Sequence, residues 1–176
     1  MPELDDSDGR GDGSERLAAA VGRLALPDGA APEARLQVAT AESLTGGELA
    51  TRLGASEGSG DWFAGAVVAY DTRVKQEVLG VDEGPVVTSR CAAQMAEGAR
   101  RLLGVDFAVS TTGAGGPGPE EGKPAGTVHL AVAGPDGTTT ERRNFEGEPD
   151  EVVRRTVVAA LELLEGRMAE YRSAWS

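Results

Sequence analysis

Short apolar runs of strand length alternate along this chain with stretches whose apolar residues recur every three or four positions. That alternation restricts it to an α/β architecture. Residues 36–41, 63–70 and 106–111 read as strands. Leu17, Ala20, Val21 and Leu24 share one face of a first helix that Pro27 and Gly29 end. Residues 46–53, 72–79, 88–103 and 150–164 carry the same helical spacing, the first with Thr45 and Glu48 placed as a capping box. Residues 127–133 and 138–145 flank Gly134-Pro135-Asp136-Gly137, a hairpin signal. Strand–helix units followed by a hairpin predict a mixed sheet covered by helices.

The chain has 176 residues and is 40% hydrophobic, enough for one domain with a sizeable core. We expect a disordered acidic tail at 1–14, a single domain at 15–168 and a short tail at 169–176. The first residues lack the cationic and apolar regions of a signal peptide. No apolar run approaches the roughly 20 residues of a membrane-spanning helix. The expectation is a cytoplasmic protein without membrane contact. A net charge of −12 disfavours nucleic acid as a partner, because phosphate backbones are bound by lysine and arginine. The one histidine, His129, and the one cysteine, Cys91, cannot assemble a zinc site. No metal and no cofactor are expected.

Chemistry concentrates in three stretches. In Ala41-Glu42-Ser43-Leu44-Thr45-Gly46-Gly47 a serine leaves a buried strand and meets two glycines at a helix start. Free N–H groups there can hold an anion or the oxyanion of a tetrahedral intermediate. Ser43 and Thr45 read equally as helix caps. A serine nucleophile needs a base. His129 lies mid-strand on the face of Thr127 and Ala131 and reads as an ordinary strand residue. Lys75, just beyond the strand ending at Tyr70, is the alternative; partly desolvated, it can accept a proton, whereas in water it is only a surface charge. The third stretch, Thr112-Gly113-Ala114-Gly115-Gly116-Pro117-Gly118, has the spacing of a dinucleotide fingerprint. Pro117, Pro119 and Pro124 forbid the helix that fingerprint must open, so a loop remains whose amides can cradle a phosphate.

In this order the motifs AESLTGG, VVAYDTRVKQEVLGV, MAEGAR, TGAGGPG and KPAGTV resemble the C-terminal domain of the competence/damage-inducible CinA proteins. The resemblance runs from about Leu36 to Leu164 and implies a three-layer α/β/α sandwich. It further implies a nicotinamide-nucleotide amidase, converting nicotinamide mononucleotide and water to nicotinate mononucleotide and ammonia. The family's nucleophile falls on Ser43, its catalytic lysine on Lys75 and its tyrosine on Tyr70. Thr45, Gly46, Gly47, Thr112, Gly113, Gly115 and Gly116 are the expected substrate-binding positions. Gly147-Glu148-Pro149 stands where the family has Gly-Asp-Arg, leaving Arg142, Arg143 or Arg154 to meet a phosphate; we single out Arg142 and Arg154. The family suggests a homodimer. The competing reading is a non-catalytic nucleotide-binding or partner-regulating domain of the same fold.

Overall fold

A computed structural model describes residues 13–29 and 31–174. Most of the expected tail, residues 1–12, lies outside the described residues. Helix α1 (Ser14–Ala25) begins one residue before the expected tail boundary. The strands are β1 (Val38–Glu42), β2 (Phe63–Val68), β3 (Phe107–Gly113), β4 (Thr127–Gly134) and β5 (Gly137–Asn144). They form one sheet in the order β2-β1-β3-β4-β5. β1 runs parallel to β2 and β3, and the β4–β5 hairpin is antiparallel, so the sheet is mixed.

Alternation along the strands sends side chains into two different half-cores. On one face Val38, Phe107, Val109, Val128, Leu130 and Val132 pack against α1, α2 (Glu48–Gly54) and α5 (Pro149–Ser173). On the other, Ala39, Ala41 and Ala108 meet α3 (Thr72–Leu79) and α4 (Ser89–Leu103), while Ala131 and Ala133 meet Ala92 and Ala96 of α4. The result is a three-layer α/β/α sandwich. Gly98 lets α4 approach α3: a Cβ there would collide with the carbonyl oxygen of Leu79.

Two sequence expectations change. The last helix does not stop at Leu164 but runs to Ser173, because Met168 and Tyr171 prolong the apolar stripe against the α1 side of the core. The capping box at α2 does not form: the N-cap is Gly47, and the Thr45 hydroxyl turns back into the protein.

The topology fixes where a site can form. From β1 the chain passes through α2 on one face to reach β2, then through α3 and α4 on the other face to reach β3. The C-terminal end of β1 is therefore a topological switch point, where open α/β sheets leave a crevice. Ser43 lies one residue past that end, Tyr70 two residues past β2, and Thr112 and Gly113 close β3.

Candidate active site

Ser43 is held by its neighbours on both sides. Its N–H donates to Thr111 of β3 (2.9 Å), while the carbonyl of Glu42 accepts from Ala69 beyond β2 (2.7 Å). The side chain of Asp71 caps α3 by accepting from the N–H of Arg73 (2.7 Å), which starts the helix directly after Tyr70. Lys75 follows one turn later and is 1% exposed. Its Nζ donates to the Tyr70 carbonyl (3.2 Å), and no carboxylate among the described residues is within ion-pair range. Burial is the main influence on Lys75 and holds its pKa below the ordinary 10.5. Cys91, Glu120, Asp71 and Glu121 pull it partly back up.

Ser43, Tyr70 and Lys75 line one cavity of about 200 Å³ together with Leu44, Thr72, Val86 and Glu120. Thr112, Gly113, Gly115 and Gly116 form the opposite wall, and Pro149 and Val153 of α5 close it. The glycine-rich loop is tied down by Glu121, whose carboxylate accepts from the N–H groups of Val86 and Val87 (each 2.8 Å). The Thr112 hydroxyl donates to the Val86 carbonyl (2.8 Å) and so is structural, while the N–H groups of Gly115 and Gly116 have no acceptor among the described residues. Tyr70, 74% exposed, stands at the mouth.

The remaining predicted positions lie elsewhere. Thr45 is buried, and its hydroxyl bonds Glu42 (2.7 Å) and Thr111 (2.8 Å) instead of facing the cavity. Gly46 and Gly47 do not line it either; their N–H groups bond the Ser43 carbonyl (3.1 Å) and the Glu42 carboxylate (3.0 Å). Neither predicted arginine reaches the cavity. Arg142 pairs in register with His129, on the α4 face of the sheet. Arg154 sits one helical step past Val153, which turns it outward to Asp150 (3.2 Å). His129 does not line the cavity either, although it pairs in register with Thr112, which does. Its Nδ1 hydrogen-bonds the Ser89 hydroxyl (2.9 Å), and its pKa is lowered by burial first, then by Arg142 and Lys123.

Sequence reasoning missed Glu42, which is fully buried yet carries a carboxylate. The signal available was an acid placed between a strand and a helix that has no Ser, Thr, Asp or Asn at its N-cap. Among the described residues no three His, Cys, Asp or Glu side chains gather to hold a metal ion, and no helix is long and apolar enough to cross a membrane.

The comparisons with known proteins agree with this architecture. The CinA C-terminal domain family matches residues 28–168. A CinA-like protein of Frankia casuarinae is 45% identical over 137 residues, or 75% of this chain and 32% of the relative. A putative competence-damage inducible protein of Desulforamulus reducens is 36% identical over 85% of this chain and 36% of its own length. The chain thus spans about a third of these relatives' length. A crystal structure of a CinA superfamily protein from Klebsiella pneumoniae superposes with a TM-score of 0.81 at 31% identity, covering 89% of this chain and 98% of that one. The competence/damage inducible protein CihA from Agrobacterium tumefaciens gives 0.77 at 35% identity, covering 88% and 94%. This chain belongs to the CinA C-terminal domain family.

Proposed function

We propose that this chain hydrolyses the carboxamide of a nicotinamide nucleotide, with Ser43 as nucleophile and Lys75 as base. The observation that carries the reading is a buried lysine with no ion-pair partner among the described residues, lining the same cavity as a serine held at a strand end. Burial favours the neutral amine, and only the neutral amine can accept a proton. Lys75 takes the Ser43 hydroxyl proton as Oγ attacks the carboxamide carbon, and the carbonyl electrons move onto oxygen. Backbone N–H groups hold that oxygen. The C–N bond then breaks, Lys75 returns the proton, and ammonia leaves an acyl-serine. Water, deprotonated by Lys75, hydrolyses the ester to the carboxylate and frees Ser43.

At about 200 Å³ the cavity is smaller than the roughly 300–1,000 Å³ of typical small-molecule sites. It suits one aromatic ring, with ribose and phosphate reaching out past Tyr70 and the glycine loop. The test is ammonia release from nicotinamide mononucleotide by the purified protein. Ser43→Ala and Lys75→Ala should each abolish most of it, and the double variant should be little worse than either, since the two act as a unit. A second reading is favoured by one observation: no arginine lines the cavity among the described residues. In that reading the domain binds a nucleotide without turning it over: the same assay returns no ammonia, while calorimetric titration with nicotinamide mononucleotide still shows binding.

A further inference from the structure

Of the backbone N–H groups from Ser43 to Ala50, all but two have an acceptor among the described residues. Ser43 donates to Thr111 (2.9 Å), Gly46 to Ser43 (3.1 Å) and Glu48 to Thr45 (2.9 Å). Gly47 (3.0 Å), Leu49 (3.1 Å) and Ala50 (2.8 Å) all donate to the carboxylate of Glu42. That carboxylate also accepts from the hydroxyls of Thr40 (3.0 Å) and Thr45 (2.7 Å). The N–H groups of Leu44 and Thr45 have no acceptor among the described residues. They directly follow the nucleophile, Leu44 lines the cavity, and Thr45 is 2% exposed. An N–H left unpaired in a site wall is costly, so the Leu44 N–H, next to the nucleophile and lining the cavity, calls for a ligand oxygen.

We infer that Glu42 is a positioning residue which, by engaging the other free donors of the turn, leaves the Leu44 N–H, in the cavity wall, to hold the substrate's oxyanion. This rests on the amidase reading. It also relocates the oxyanion donor from the glycines, whose N–H groups are occupied, to Leu44, directly after the nucleophile. A carboxylate suits the task because it only accepts, and five donors converge on it. Glutamine there would point an NH2 group at a donor and force the turn to open.

The experiment compares Glu42→Gln and Thr45→Val with wild type on nicotinamide mononucleotide and on its thioamide counterpart, in which sulfur replaces the oxygen that becomes the oxyanion. Loss of an oxyanion donor costs about 10²–10³ in kcat. Each variant should therefore lose about a hundredfold in kcat on the carboxamide with KM nearly unchanged. The wild-type preference for carboxamide over thioamide should shrink by about tenfold or more, because sulfur is a poor fit to the same donor. Thr45→Ser, which keeps the hydroxyl on Glu42, should restore wild-type behaviour. If Glu42→Gln fails to fold, Thr45→Val reads the same turn through the partner of that carboxylate. Equal losses on both substrates, or no loss, would overturn the assignment of Glu42. A wild-type protein releasing no ammonia from nicotinamide mononucleotide would instead overturn the amidase reading beneath it.

Discussion

Replacing Lys75 by methionine should abolish activity and yet stabilise the protein. Lys75 is 1% exposed, and its amine has one hydrogen bond, to the Tyr70 carbonyl (3.2 Å). Methionine fills nearly the same volume without the amine. Removing a neutral hydrogen bond costs about 1 kcal/mol. Exchanging a buried ionisable group for an apolar one of similar size gains about 1–4 kcal/mol. The net is a gain of about 0–3 kcal/mol near neutral pH, centred on about 1.5, or a rise in melting temperature of roughly 4 °C for a chain this long. The sign with pH follows from burial holding the folded pKa below 10.5. An unfolded lysine binds its proton more tightly than the folded one, so wild-type stability rises with pH between the folded and unfolded values. The penalty is fully present below the folded pKa and gone above the unfolded one. The gap between variant and wild type should thus be widest at neutral pH and close towards about pH 10.4. Differential scanning calorimetry across that range, beside ammonia release at each pH, tests both halves. A methionine variant melting below wild type at neutral pH would show that the lysine is not strained by burial, and the argument for its proton-accepting role would fall.

Wild-type kcat should climb with pH through a single ionisation, since Lys75 works as the neutral amine, and Glu120→Gln should move that climb to lower pH. Glu120 is one of the carboxylates that pull the Lys75 pKa back up, so an unmoved profile would separate the activity from Lys75. Nicotinamide riboside should be a usable substrate, because no arginine lines the cavity among the described residues. A preference for the nucleotide above about a thousandfold in kcat/KM, or about 4 kcal/mol, would require a charged partner that this wall lacks. Gly98→Ala should destabilise the fold by about 1–3 kcal/mol in chemical denaturation, because the added methyl meets the Leu79 carbonyl and pushes α3 off α4. A midpoint unchanged from wild type would mean the helices separate at no cost.

How much of this was legible depended on whether the determinant was local. Helical spacing identified α1, α3, α4 and the start of α5, and the Gly134-Pro135-Asp136-Gly137 turn identified the hairpin, since each pattern lies within its own segment. The strand order was not legible, because β1 lying between β2 and β3 depends on contacts across long separations. The cavity unites Ser43, Tyr70, Lys75, Thr112, Gly113, Gly115 and Gly116, since their segments close or follow β1, β2 and β3 at the C-terminal end of these parallel strands. The arginines were misjudged for a reason the sequence held. Pairing Gly134 with Gly137 fixes the hairpin register, and counting back sets Arg142 beside His129 on the α4 face. Thr45 and the two glycines were misjudged because a Thr ahead of a helix suggests a cap. Here the acid three residues earlier takes that place, and burial of a carboxylate is a tertiary event that composition does not announce.

The two faces of the sheet differ in how they can drift over generations. Against α1 and α5 the interior is built from Leu, Val, Phe and Met, whose shapes trade against one another at modest cost when total volume is kept. Where β4 meets α4 it is built from alanines, Ala92 and Ala96 facing Ala131 and Ala133. There no residue can shrink to make room for a neighbour that grows, so compensation between sites is closed off. Accepted changes should accumulate on the first face and be purged at the alanine contact between β4 and α4.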